Sequence, residues 1–85
     1  ILDLEQEFTG KGEVKGFQFK QIKQSNKSYI YQVTKGTKTW YEVFKKKTKT
    51  NSIKYCYPTS KGFGIWAWAC QTLEKAIEKF ERLNQ

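Results

Sequence analysis

The chain has 85 residues, enough for one domain over residues 1–85 with a small core and too few for a deep active-site cavity as well. Its apolar content is 38%, and no stretch approaches the ~20 apolar residues of a membrane span, so we expect no membrane partner. The net charge of +8, from 16 basic and 8 acidic residues, favours a partner of negative charge.

The positive charge is concentrated in the middle of the chain. Residues 1–8 contain three acids and no base (−3), whereas residues 9–72 contain thirteen lysines and two acids (+11). Residues 73–85 contain three acids and three bases and are neutral. Such a basic centre attracts nucleic acid, an acidic protein or an anionic membrane. Lysines can also serve only to keep a chain in solution, and the sequence leaves both interpretations open.

The two cysteines, Cys56 and Cys70, are too few for the disulfide framework of a small secreted domain. We therefore expect reduced thiols and a cytoplasmic protein. If residues 53–57 and 63–70 form a hairpin, the two cysteines lie about 20 Å apart along the strands, too far for a disulfide.

The N-terminal residues are compatible with two structures. Residues 1–8 alternate acidic and apolar side chains, which favours a strand, but Leu4 and Phe8 also have the i, i+4 spacing of a helix. We favour the strand, because the glycine-containing residues 9–12 that follow have the composition of a hairpin turn.

Residues 14–24 are predicted to form the next strand. Within this segment Phe17 and Phe19 share one parity and Ile22 has the other. Since side chains alternate between the two faces of a strand, the change of parity predicts a bulge near Gln21.

Two strands rich in aromatic and β-branched residues follow, over residues 29–34 and 39–45, and a short turn containing Gly36 joins them. The length of this turn decides which side chains share a face. With a two- or four-residue loop, the apolar side chains of the first strand lie beside Trp40, Glu42 and Phe44.

With a three-residue loop, the same side chains lie beside Tyr41 and Val43 instead. We prefer this register because it does not bury the Glu42 carboxylate. Trp40 and Phe44 then lie on the other face, which one helix cannot cover, so we expect them to be partly exposed.

Residues 53–57 are predicted to form a further strand that ends before Pro58, and residues 63–70 another. The last element is a helix over residues 73–84 with Thr72 as its N-cap. The alternative, a helix that begins at Ile65, would place Thr72 inside the helix. The helix has one apolar stripe, formed by Leu73, Ala76, Ile77, Phe80 and Leu83.

These elements predict an α+β fold, in which an antiparallel sheet of four to five strands packs one face against a C-terminal amphipathic helix. The order of sheet and helix, over residues 29–45 and 63–83, is similar to that of the DNA-binding integrase arm-binding and plant AP2-type domains. The chain has no diagnostic motif of either family, so the resemblance implies DNA binding only as an analogy of element order.

The sequence contains no pattern of catalytic or metal-binding residues. It has no histidine, and two cysteines alone do not make a four-ligand zinc site. Glu42 has no apparent catalytic partner, and the glycines of residues 10–16 lack the helix and the Gly-Lys-Ser/Thr ending of a phosphate loop. We therefore expect no enzyme, no cofactor, no metal and no small-molecule substrate.

Lysines alternate with aromatic residues in several segments, which is typical of surfaces that bind nucleic acid through phosphate contacts and base stacking. Because Arg82 is the one arginine, we expect phosphate-dominated binding with weak sequence selectivity. The predicted interface consists of Lys20, Lys38, Trp40, Phe44, Lys45, Lys46, Lys47 and Lys49.

The alternative is a protein-interaction domain, such as an inhibitor or accessory subunit, whose basic aromatic patch binds an acidic partner protein. In that case Trp40 should be an energetic hot spot. Lysine-rich strand edges resist self-pairing, so we expect a monomer in either case.

Overall fold

The computed structural model describes residues 1–85 as one five-stranded antiparallel sheet and one α-helix, which confirms the predicted α+β class. The strands lie side by side in chain order. They are β1 (Glu7–Thr9), β2 (Gln18–Gln24), β3 (Ser28–Lys35), β4 (Lys38–Lys45) and β5 (Ala67–Cys70), and the helix α1 (Leu73–Leu83) follows.

Helix α1 covers one face of the sheet, which we call the helix face. The helix begins at the predicted cap, where the Thr72 side chain accepts a hydrogen bond from the backbone N–H of Lys75 at 3.2 Å. Ala76 and Phe80 are buried against Ile30 of β3 and Val43 of β4. The predicted helix is confirmed, and the alternative that begins at Ile65 is wrong, because residues 64–66 form a turn.

The β3–β4 turn has two residues, so the preferred three-residue loop is wrong. Lys35 pairs with Lys38, and Gly36 has a φ of +60°, as a type II′ turn requires at its first central position. Glu42 consequently faces the apolar side chains of β3. Its carboxylate is compensated there, since it accepts hydrogen bonds from Tyr57 Oη at 2.6 Å and Trp40 Nε1 at 2.9 Å.

The opposite face of the sheet, which we call the aromatic face, is also covered. Residues 1–6 and 46–66 lie across it without forming regular strands. Its buried cluster consists of Phe19, Tyr29, Tyr31, Val33, Phe44 and Ala67. The aromatic rings pack in stacked and edge-to-face pairs, for example Tyr31 on Phe44 at 5.7 Å and Tyr57 on Phe44 at 4.7 Å between ring centroids.

Four predicted strands differ from the structure in extent or in kind. Residues 53–57 are extended but make only isolated bridges, at Lys54 and Tyr55, because the segment crosses the aromatic face instead of joining the sheet. The apolar and polar residues of this segment alternate because every second side chain packs on the aromatic face. Such packing does not require hydrogen bonds to a neighbouring strand. The strands predicted at 1–8, 14–24 and 63–70 shorten to β1, β2 and β5.

The predicted bulge in β2 is confirmed. The register of β2 against β3 shifts between Gln21 and Lys23, which leaves Ile22 as the additional residue. The bulge keeps Phe19 on the aromatic face while Lys23 pairs with Ile30 on the helix face.

The N-terminal segment is held by polar contacts to the aromatic cluster. Tyr29 Oη donates to Asp3 Oδ1 at 2.7 Å, and Lys46 Nζ lies 3.1 Å from the same oxygen. Tyr31 Oη donates to the backbone carbonyl of Glu5 at 2.6 Å. Burial raises the pKa of Tyr31 to about 12, whereas the bonds from Tyr29 and Lys46 lower the pKa of Asp3 below 3.8.

The C-terminal end of the helix is fixed to the β2–β3 turn by one side chain. Asn84 Oδ1 accepts hydrogen bonds from Ser25 and from the fully buried Ser28, the latter at 3.2 Å. The Asn84 amide nitrogen donates to the carbonyl of Phe80 at 2.7 Å. Asn84 therefore connects the helix to the sheet and satisfies a buried hydroxyl.

Substitution of Asn84 should test this connection. We expect Asn84→Ala to lower the free energy of unfolding by about 1–3 kcal/mol, because it leaves the buried Ser28 hydroxyl with one partner fewer. Urea denaturation would measure the change. Asn26→Ala, at an exposed position in the same turn, is the control and should change stability by less than about 0.5 kcal/mol.

The lowered pKa of Asp3 predicts a dependence of stability on pH. Its contribution is fully present above the unfolded-state pKa of 3.8 and is lost as the pH falls through the lower folded-state pKa. Asp3→Asn should therefore be less stable than wild type at neutral pH, and the difference should shrink below pH 3.8. Denaturant unfolding at several pH values measures it, with Glu7→Gln as the control. A difference that persists unchanged at low pH would contradict the assignment.

Candidate nucleic-acid interface

The two aromatic residues predicted for the interface belong to the covered aromatic face. Phe44 is fully buried, so its predicted exposure is wrong. Trp40 is half-buried; its indole N–H donates to Glu42, and its ring packs edge-to-face on Phe17 at 5.5 Å. The predicted open sheet face is absent because residues 1–6 and 46–66 cover it.

The predicted lysines do not form one surface. Lys38 and Lys45 stand at opposite ends of β4, and Lys20 lies on β2 between Glu7 and Gln32. Lys46 is engaged, since its ammonium binds Asp3 and its side chain is only 9% exposed. Lys49 is exposed in the loop after β4.

Lys45 and Lys47, in contrast, lie beside Trp66 at the β5 side of the sheet, where Lys79 lies beside Trp68. The backbone N–H of Lys45 donates to the carbonyl of Trp66 at 3.0 Å, and Lys47 Nζ lies 5.2 Å from the Trp66 ring centroid. Trp68 pairs with Val43 on the helix face, where Lys79 Nζ lies 4.0 Å from its ring centroid.

These side chains define one basic aromatic surface along the outer strand of the sheet. It has a lysine–tryptophan pair on each side of β5, because Trp66 packs toward Phe44 on the aromatic face and Trp68 lies on the helix face. We call it the β5 edge, and it consists of Lys45, Lys47, Trp66, Trp68, Lys75 and Lys79.

Helix α1 adds positive charge to this edge and directs its negative charge elsewhere. Successive residues of an α-helix are rotated by about 100°, so Lys75 and Lys79 share the flank that faces Trp68. The same rotation places Glu74 and Glu81 on the opposite flank, whereas Glu78 and Arg82 point outward between the two flanks. The neutral helix is therefore basic on its β5 side.

The acidic residues outside the helix lie mainly toward the other side of the sheet. Glu7 is on β1, which is the strand most distant from β5, and Glu5 and Glu13 flank that strand in the chain. These carboxylates are offset by nearby lysines, since Lys54 binds Glu5 and Lys20 pairs with Glu7, so the β1 edge carries charges of both signs.

The lysines of the β5 edge have no carboxylate within ion-pair distance. The structure has two ion pairs within 4.0 Å, Lys46 with Asp3 and Lys54 with Glu5. Burial raises the pKa of the Cys70 thiol on β5, and the positive charges of Lys79 and Lys75 oppose that rise. The electrostatic environment of this edge is therefore positive and available to an anion.

Trp66 and Trp68 are absent from the interface predicted from the sequence. Both lie in the segment 63–70, for which the sequence predicts a strand but not its position in the sheet, so no local pattern shows which of its side chains are exposed.

Comparisons with protein-family models, with curated proteins and with solved structures found no match to this chain. The site therefore rests on its own geometry and charge. No helix in the structure is long and apolar enough to cross a membrane.

The position of Lys79 beside Cys70 predicts a measurable change in thiol reactivity. In a Cys56→Ser background, Lys79→Gln should move the pH profile of Cys70 alkylation to higher pH, because it removes a charge that lowers the pKa of the thiol. Lys61→Gln, at an exposed lysine outside the β5 edge, should leave the profile unchanged. An unchanged profile in Lys79→Gln would contradict the geometry.

Proposed function

We propose that the protein is a small non-enzymatic module that binds nucleic acid through the β5 edge. The observation that supports this proposal is the placement of two tryptophans beside lysines that have no carboxylate partner, along the outer strand β5. Ammonium groups bind phosphates, and half-buried indoles offer a surface on which a base can stack.

The lysines of the β5 edge would attract the nucleic acid. They have no carboxylate within ion-pair distance, so their charge is available to phosphates. Lysine ammonium groups act as point charges without the planar geometry of arginine, and we therefore propose weak sequence selectivity.

A location in the cytoplasm fits this proposal. Cys56 and Cys70 are both free, and a reducing compartment keeps such thiols unpaired. We further propose a monomer, since the edge strand β5 is only four residues long and lysines surround it.

Fluorescence anisotropy with short single-stranded and double-stranded DNA and RNA would test the proposal. We expect binding whose log affinity falls linearly with log salt, and a slope that flattens by about 2 in Lys47→Gln/Lys79→Gln, because two phosphate contacts are lost. Lys11→Gln/Lys15→Gln removes the same charge from exposed positions near β1 and is the matched control.

Two outcomes would contradict nucleic-acid binding at this edge. One is the absence of binding to every probe at low salt. The other is an equal loss of affinity in both double variants, which would show that only net charge matters.

A second candidate function is the binding of an acidic protein through the same edge. The exposed Ile65, 72% accessible, and the outer backbone of β5 could pair with an extended acidic segment. In that case Trp68→Ala should remove most of the binding energy, whereas lysine substitutions should mainly slow association. Kinetics with a poly-glutamate peptide would distinguish the two candidates.

A further inference from the structure

A pocket of about 690 Å³ opens on the aromatic face between β1 and Glu42 of β4, and it shares no lining residue with the β5 edge. Such a volume lies in the range of small-molecule sites. The chain residues 10–17 form one wall and the loop 57–63 forms the other. The apolar side chains that line it are Phe8, Val14, Phe17, Phe19, Tyr57, Pro58 and Phe63.

The loop that forms one wall is held in place by Gly10. A Cβ atom at this position would collide with the backbone carbonyl of Val14, so only glycine permits the approach. The Gly10 backbone N–H also donates to the carbonyl of Phe17 at 2.7 Å, which closes the turn. The pocket is therefore built by the fold and needs no rearrangement to exist.

The charged groups of this pocket are mostly acidic, although the whole chain has a net charge of +8. Glu5, Glu13 and Glu42 line it, against the single base Lys11. Glu5 is paired with Lys54, at 3.2 Å, so its charge is largely neutralised. Glu13 and Glu42 have no basic partner within ion-pair distance.

Glu42 is the distinctive group, because it lies half-buried among aromatic rings. Its two oxygens accept one hydrogen bond each, from Tyr57 and from Trp40, and both donors are neutral. Each carboxylate oxygen can accept a second bond, so the group keeps acceptor capacity toward the pocket. A half-buried carboxylate without a counter-ion gains free energy when a cation binds beside it.

The aromatic walls favour the same kind of ligand. The faces of aromatic rings are electron-rich and attract cations, and their area binds apolar groups. Anions are disfavoured by Glu13 and Glu42, so this pocket does not belong to the proposed nucleic-acid interface. The pocket also departs from the sequence-based expectation of no small-molecule substrate. It is formed by loops that lie over the sheet, so the small core does not have to contain a cavity.

We propose that this pocket binds a small organic ammonium whose apolar body lies between the aromatic walls and whose charged group contacts Glu42. The ligand class is a primary amine with an aromatic or branched apolar group. The carboxylate provides a charge-assisted hydrogen bond, and the rings provide apolar contact and cation–π attraction. The pocket shares no lining residue with the β5 edge, although Glu42 on β4 lies next to that strand.

A titration followed by ¹H–¹⁵N NMR would test the proposal with three probes of similar size. These are 2-phenylethylammonium, neutral 2-phenylethanol and anionic phenylacetate. We expect shifts confined to residues 8–19, 40–42 and 57–63, and an ammonium that binds about tenfold or more tightly than the alcohol, with phenylacetate weakest. Comparison of the three probes on the wild-type protein needs no variant.

A variant then assigns the contact to Glu42. Glu42→Gln should remove the preference for the ammonium while retaining binding of the alcohol, and its amide spectrum should show that the fold is kept. Glu7→Gln removes the same charge from β1 outside the pocket and should keep the preference.

Three results would overturn the proposal. The first is that no probe at millimolar concentration causes chemical-shift changes in the pocket. The second is that the ammonium and the alcohol bind with equal affinity, and the third is that the preference for the ammonium persists in Glu42→Gln. None of them depends on nucleic-acid binding, so this test and the anisotropy test fail separately.

Discussion

The two-residue turn at Gly36 and Thr37 sets the pairing of β3 with β4, and this register determines the face on which each large side chain lies. It places Tyr29, Tyr31 and Phe44 together and leaves Ile30 and Val43 for the helix. An eleven-residue helix is sufficient for the smaller aliphatic surface. The larger aromatic surface must be covered by other parts of the chain, and residues 1–6 and 46–66 provide that cover.

Covering the aromatic face also distributes the charge of the molecule. The buried tyrosines require partners for their hydroxyl groups, and these are Asp3, the Glu5 carbonyl and Glu42. The N-terminal acids are thereby held beside β1 and over the aromatic cluster. Most lysines remain without carboxylate partners, and those near Trp66 and Trp68 make the β5 edge basic. The polar requirements of the core thus help to decide which surface lysines keep an unpaired charge.

The two proposed sites follow from this distribution and have opposite chemistry. The β5 edge offers lysines and indoles to a polyanion, whereas the pocket offers Glu42 and aromatic rings to an organic cation. The two sites are nevertheless close, because Glu42 lies on β4 directly opposite Ala69 of β5. Ligand binding at the two sites is therefore expected to be electrostatically coupled.

The sequence by itself determined the local features: the α+β class, the helix with its Thr72 cap, the β3–β4 strands and the bulge in β2. Each depends on the chemistry or spacing of near neighbours. Tertiary structure decided what remote residues do. The alternation of residues 53–57 is the same for a strand in a sheet and for an extended segment lying on one. Burial of Glu42 depends on a hydroxyl from Tyr57, fifteen residues away. The interface likewise needed Lys79 and Trp68 to meet across the helix and sheet, which no local pattern encodes.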